Sequence, residues 1–317
     1  MKVIALVLLA LFVGLVASED YYSTKLAQRM IQISSITYES ESSIINWNCS
    51  LCKTVSFSHP KIVQNSSNSV FGLIGYSPEY NKIIVAWRGS VDIANWILNF
   101  KTTRTSYPLC SGCSVHVGFN QGFNSVKSQV EPLVEFLMEK YPSASIYITG
   151  HSLGGALAVM SAAHLHSKYT LVEKLYTLGQ PRVGNDAFAQ FMTAFIPNTY
   201  RIVHYADEVC HLPQSILGFK HSGWEIWYQR GMQSYKICPS ESKDCSNQLS
   251  LLKMSSSDHS ITNYLQIKVE SSFLEDLSSF FKFKWLRFMT KDMIFNLDMQ
   301  TMLEEDRKVR EAIKRHH

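Results

Sequence analysis

Residues 145–160, SIYITGHSLGGALAVM, decide the architecture of this chain. The first five form a short buried-strand pattern, and the residues from Leu153 onward are rich in Ala and Leu and read as a helix. Between them lies Gly150-His151-Ser152-Leu153-Gly154, a GxSxG pattern. The pattern alone is weak, but a strand leading straight in and a helix leading straight out describe a nucleophile elbow. This is a sharp turn that lifts a Ser hydroxyl above the end of a sheet. Glycines are expected at 150 and 154 because side chains there would collide across so tight a turn. Gly155, Ala156, Ala158 and Ala162 let the helix lie close to the sheet, and its N-terminus presents partial positive charge to Ser152.

Strand and helix signals alternate on both sides of this stretch, from about residue 71 onward. FGLIGYS and NKIIVAWRGS read as strands joined at Pro78–Asn81. SVHVGF is a third short strand or strand end. Residues 126–141 carry Val126, Val130, Leu133, Val134, Leu137 and Met138 at helical spacing. Pro132 predicts that this helix begins near Glu131 or is kinked. LVEKLYTLG, DAFAQFMTAF and TYRIVHYA continue as strand, helix and strand, and GWEIWYQR and MQSYKIC are extended. Residues 240–257 are Ser-rich and polar, the pattern of a long loop. The alternation predicts an α/β fold around a mostly parallel central sheet.

Composition sets the class. The 317 residues are 46% hydrophobic and 18% charged, with a net charge of +4, and ordinary globular values result. The small, scattered positive charge argues against nucleic acid as a partner. Lys2, the apolar run Val3–Val16 and the small residues Ala17 and Ser18 read as a secretory signal peptide over residues 1–18, too short to span a bilayer. The expected location is therefore extracellular. Six of the seven cysteines fall into three local pairs, Cys49 with Cys52, Cys110 with Cys113, and Cys238 with Cys245. Two CxxC pairs can signal zinc, but these lie far apart and follow an export signal, so they are disulfide candidates. Cys210 is left over and reads as a buried free thiol beside an apolar strand. Asn48-Cys-Ser and Asn65-Ser-Ser match the glycosylation acceptor pattern.

A Ser hydroxyl is a weak nucleophile that needs a base, and the base needs an orienting acid. With a nucleophile elbow the chain order is Ser, acid, His. Asp207 fits as the acid because it ends the strand TYRIVHYA, where a loop can aim it into a site. Asp186 reads as a helix N-cap, Asp244 lies in the Cys-flanked loop, and Glu208 points away from its neighbour. His211, His221 and His259 satisfy the order. His211 is too near Asp207 in sequence to come easily from a separate loop, whereas His259 follows a polar loop.

Taken together, VAWRGS, NWILNF, VHVGF, ITGHSLGGALA, TLGQPRVGNDAFA, RIVHYADEVCHLP and DHSITNY resemble the fungal-type class 3 lipases, in that family's order over roughly residues 70–265. The resemblance implies an α/β-hydrolase fold, with residues 19–275 as one domain. It also implies Ser152 as nucleophile, Asp207 as acid, His259 as base, and the Ser90 side chain with the Leu153 N–H as oxyanion hole. No metal or cofactor is implied. Cys210 stands where the family often has Pro.

The implied reaction is hydrolysis of lipid carboxylic esters, triacylglycerol lipase-like, through an acyl-enzyme. Phospholipase, small feruloyl-type ester hydrolase, serine peptidase and a catalytically inactive lipid-binding relative are the alternatives. Family lipases carry a short lid helix after the oxyanion residue. Here the segment is VDIANWILNF, with Ile93, Trp96 and Ile97 as lid or substrate-binding candidates, and core packing as the simpler account of the same residues. The implied partner is a lipid ester at a lipid–water interface. Residues 276–317 depart from the family. Phe280, Phe281, Phe283, Trp285 and Phe288 mix with Lys282, Lys284 and Arg287, which suits peripheral membrane contact, although the apolar residues form no clean face and packing on the domain is the simpler reading.

Overall fold

The computed structural model describes residues 22–98 and 101–266. The expected signal peptide, residues 99 and 100 of the expected lid segment and the extension 276–317 lie outside the described residues.

Eight strands form the main sheet: β1 (Ser58–Asn65), β2 (Val70–Ser77), β3 (Lys82–Trp87), β6 (Ser145–His151), β7 (Val172–Leu178), β8 (Thr199–His204), β9 (Trp224–Tyr228) and β10 (Tyr235–Pro239), in that spatial order. The pairings from β3 to β9 are parallel, and β1, β2 and β10 pair antiparallel at the two edges. Two further strands, β4 (Arg104–Ser106) and β5 (Ser114–His116), make a separate hairpin. Parallel strands are covered on both faces and so read as continuous apolar runs. Ile83, Ile84, Val85, Ala86 and Trp87 of β3 are all fully buried.

The pleat shows which helix covers which face. Helix α1 (Thr24–Ile36) places the Ser34 hydroxyl 3.0 Å from that of Thr149 on β6. Five further helices are α2 (Glu41–Ile45), α3 (Ile93–Leu98), α4 (Val117–Asn124), α5 (Lys127–Lys140) and, after the GxSxG turn, α6 (Leu153–Tyr169). Helix α6 offers the Ser161 hydroxyl to the Trp87 indole N–H at 2.9 Å. Thr149 sits opposite Ala86 in the β3–β6 register, one residue from Trp87, so the two point to opposite faces. Helices α1 and α6 therefore sandwich the sheet. Helix α7 (Asp186–Phe195), the last α-helix among the described residues, follows β7.

Three sequence expectations are corrected. Helix α5 begins at Lys127, not near Glu131; Pro132 falls in its second turn, where only the bond back to Ser128 is lost. SVHVGF is strand only through His116, after which the chain turns into α4, capped by the His116 ring nitrogen accepting from the Phe119 N–H. The N-cap of α7 is Asn185, whose side chain accepts from the Phe188 N–H, and Asp186 is the first helical residue. The three local cysteine pairs are disulfides, and Cys210 is a free, buried thiol.

Candidate active site

Register brings the carboxyl ends of four neighbouring strands level. Trp87 pairs with Gly150, Gly150 with Thr177, and Leu178 with Ile202. Residues just past those ends therefore gather at one place: Ser90 after β3, Ser152 after β6, Gly179 after β7 and Asp207 after β8. A ligand crevice beyond the strand carboxyl ends is the general rule for open α/β sheets.

Ser152 sits at φ 59°, ψ −130°, between β6 and α6. A non-glycine residue in that region is strained by about 1–3 kcal/mol and persists only where the surroundings hold it. Its N–H donates to the Leu178 carbonyl at 2.9 Å, and its own carbonyl accepts from the Gly155 N–H at 2.8 Å. Gly150 is required as expected, since a Cβ there would stand 2.2 Å from the Gly154 carbonyl oxygen. Gly154 serves a different contact from the one expected: its Cβ would meet the Trp87 carbonyl oxygen at 2.2 Å and the Arg88 carbonyl carbon at 2.7 Å. It lets the first turn of α6 rest on the end of β3. Gly154→Ala is expected to destabilise the fold by about 3 kcal/mol, the upper end of overpacking costs, because only backbone could give way. Thermal denaturation checks this: a fall in Tm of roughly 6–12 °C is expected for a domain of this size, and an unchanged Tm would contradict it.

Asp207 is fully buried in the loop that leaves β8. Its Oδ1 accepts from the Val209 N–H at 2.9 Å, and its Oδ2 accepts from the Tyr264 hydroxyl. His259 Nδ1 lies 2.8 Å from Oδ2 and 3.0 Å from Oδ1. A carboxylate only accepts, so Nδ1 carries the proton and Nε2 is left with its lone pair. Burial would raise the Asp207 carboxyl, but the His259 ring outweighs it, with help from the Tyr264 hydroxyl, and holds the group down at about 2. His259 ends a short turn, Ser257–His259, anchored by a parallel bridge between Ser255 and Asp207, with the Ser255 N–H donating to the Ala206 carbonyl at 2.8 Å. Gly179, at φ 58°, leaves room for this cluster: a Cβ there would stand 2.8 Å from Asp207 Oδ2, His259 Cε1 and the Tyr264 oxygen alike.

Ser152 Oγ and His259 Nε2 are both buried, and neither makes a hydrogen bond to any described group. Unsatisfied buried polar atoms cost about 1–3 kcal/mol each and are retained where function needs them. Catalytic hydrogen bonds are often loose without a bound substrate.

The remaining candidates are distributed as follows. The Ser90 hydroxyl donates to the Asp92 carbonyl at 3.1 Å. Leu153 opens α6 beside Ser152 and packs on the main core. In α3, Ile93 is buried, Ile97 is half-buried, and Trp96 packs on the core with its ring 6.3 Å from that of Phe119. His211 and His221 are buried outside the triad cluster, His221 Nε2 donating to the Cys210 carbonyl at 2.7 Å. Burial pushes the Cys210 thiol up, which keeps it in the unreactive form.

Sequence reasoning assigned no role to Tyr264 or Arg182, although both stand in quoted motifs. Arg182 makes a two-point contact with Glu241, at 2.8 and 2.9 Å, and donates to the carbonyls of His211 and Pro213. It thereby ties the Cys238–Cys245 loop to the segment that follows Asp207.

A nucleophile elbow on a mostly parallel sheet, with an acid after a later strand and a His after that, defines an α/β-hydrolase. Comparison with known proteins narrows this. The family model described as "Lipase (class 3)" matches residues 84–216 of this chain. It is 38% identical over 164 residues to the secreted mono- and diacylglycerol lipase 1 of Fusarium solani, covering 52% of this chain and 49% of that one. It is 33% identical over 213 residues to a Rhizomucor miehei lipase, covering 64% of this chain and 58% of the relative. The chain thus spans roughly half the length of these curated relatives. The solved triacylglyceride lipase of Rhizomucor miehei superposes with a TM-score of 0.69 at 29% identity, over 78% of this chain and 97% of that one.

Proposed function

We propose that the protein is a secreted serine hydrolase that cleaves the carboxylic esters of acylglycerols at a lipid–water interface. The observation that carries this reading is a buried His259 whose Nδ1 proton is held by Asp207, leaving Nε2 without a partner, together with a buried, unpartnered Ser152 hydroxyl on a strained elbow. Ser152 Oγ attacks the ester carbonyl while His259 Nε2 takes its proton. Asp207 fixes the tautomer and stabilises the resulting imidazolium. The oxyanion is received by the Ser90 hydroxyl and the Leu153 N–H at the N-terminus of α6. His259 then returns the proton to the departing alcohol, and water enters by the same route to release the fatty acid. Ser90→Ala is expected to lower kcat by about 100- to 1,000-fold with little change in KM, as loss of one oxyanion donor does. Steady-state kinetics on a soluble ester would show it, and an unaltered kcat would remove Ser90 from this role.

Acylglycerol as substrate is supported by the names of the relatives and by α3, which follows the oxyanion turn and holds Ile93 and Trp96 against the core. Moving α3 as a lid would expose that apolar surface, which a lipid phase would accept and water would not. Export is supported by three disulfides, which persist in oxidising compartments, and by the secreted Fusarium relative. The purified protein should be assayed on emulsified tri-, di- and monoacylglycerol, on phosphatidylcholine vesicles and on a feruloyl ester. Turnover greatest on an acylglycerol supports the reading; turnover confined to phospholipid or feruloyl ester refutes the substrate assignment.

A further inference from the structure

A chain of buried hydrogen bonds runs beside the triad and ends on the backbone of His259. Tyr38, which follows α1, accepts from the Gly89 N–H at 3.0 Å. Its hydroxyl lies 2.8 Å from His151 Nδ1. His151 Nε2 in turn lies 2.9 Å from the His259 carbonyl oxygen. Proton positions follow from what each group is able to do. A carbonyl only accepts, so His151 Nε2 must carry a hydrogen. Burial, reinforced by the neighbouring His259, lowers the His151 ring to about 3, so it stays neutral at ordinary pH. A neutral imidazole has one bare nitrogen, here Nδ1, and the Tyr38 hydroxyl is therefore its donor. Burial pushes that hydroxyl up, which keeps it protonated.

The two ends of this chain matter to the reaction. Gly89 immediately precedes Ser90, and the space at its α-carbon is closed by Ser152: a Cβ there would stand 2.8 Å from the Ser152 Cβ. At the other end, the His151 ring stacks on the His259 ring, with centroids 4.7 Å apart and planes 25° apart. His151 is also the residue before the nucleophile.

We infer that Tyr38 and His151 are positioning residues for acyl transfer: together they hold the Gly89–Ser90 turn, the nucleophile and the backbone of His259 in one fixed register. The inference rests on the ester-hydrolase reading above. Tyr38 contributes to it in two ways. It satisfies the Gly89 N–H, which orients the peptide leading into Ser90. It also fixes the His151 tautomer. Without the donor, His151 is free to carry its proton on Nδ1, and a bare Nε2 would then face the His259 carbonyl and push the base away from Ser152.

Tyr38→Phe is therefore expected to lower kcat by about 10- to 100-fold, the range in which a misplacement near 1 Å acts, with KM shifted less than about threefold. His151→Gln keeps an N–H for the His259 carbonyl but offers no acceptor at the Nδ1 position. If both residues act through one chain, the double variant should lose hardly more than the worse single variant, because members of one network are not additive. Thermal denaturation shows whether each variant is folded. A second readout is independent of activity: nitrogen-15 NMR of histidine-labelled protein should show His151 with its proton on Nε2 in the wild type, and a changed or mixed tautomer in Tyr38→Phe. A folded Tyr38→Phe with the wild-type kcat, strictly additive losses in the double variant, or a wild-type His151 proton on Nδ1 would each overturn the inference. If the wild type hydrolyses no ester, the functional reading fails first, and the tautomer measurement still judges the network.

Discussion

Ser152→Ala is expected to lower kcat/KM by roughly 10⁶-fold, the scale on which hydrolases with this triad lose their nucleophile. The fold should survive the change. Ser152 Oγ is buried and bonds to no described group, so its removal deletes an unsatisfied atom and breaks no contact. The turn itself is held by backbone bonds from the Ser152 N–H to Leu178 and from Gly155 to the Ser152 carbonyl, which Ala retains. Stability should therefore stay the same or rise by about 1 kcal/mol. Kinetics on a soluble ester and a thermal melt measure the two halves of the expectation. A folded Ala variant that still turns over ester would place the nucleophile elsewhere.

Asp207→Asn is expected to lower kcat by about 10⁴-fold, since the amide reverses the tautomer logic of the base. An Asn amide able to donate to His259 Nδ1 leaves the imidazole proton on Nε2, so the ring would no longer be able to take the Ser152 proton in the proposed mechanism. The same substitution has a consequence for stability as a function of pH. The Asp207 carboxyl is held at about 2, against 3.8 when unperturbed, by the His259 ring acting against burial. A depressed carboxyl stabilises the fold fully above its unfolded value and ceases to do so as pH falls through the folded value. The wild type should therefore be more stable than Asp207→Asn above about pH 4, with the gap closing toward pH 2. Denaturant melts across that range check the sign, and a gap that widens toward low pH would contradict the account of Asp207.

What could be read from the sequence is what is encoded locally. The short buried strands, the small-residue helix after Ser152 and the GxSxG turn each declare themselves within about ten residues. The candidate acid and base, Asp207 and His259, were put forward from chain order, from their places at a strand end and after a polar loop, and from the resemblance to class 3 lipases; the structure places the two within hydrogen-bond reach. Helix α1, before residue 70, was legible but went unread: Ser23 caps it by accepting from the Leu26 N–H, and Lys25, Gln28, Arg29 and Gln32 form a polar face at helical spacing opposite buried Leu26, Met30 and Ile33. Strand β1 contains Pro60 and alternates poorly because it lies at the sheet edge. The supports of the site were out of reach for a different reason. Tyr264 meets Asp207 across 57 positions, and Tyr38 meets His151 across 113, so no local spacing announces either contact. Gly179 is similar: its neighbours 207, 259 and 264 exist only once the sheet has brought three loops together.

The central claim is that His259 activates Ser152 for attack on an ester. The most direct test is labelling the folded protein with a lipid-like fluorophosphonate and mapping the modified peptide, with His259→Ala treated alongside. The account predicts a single adduct on Ser152 that disappears in His259→Ala. Absence of labelling in the folded wild type, with detergent present to release α3, or an adduct on another residue, would contradict it.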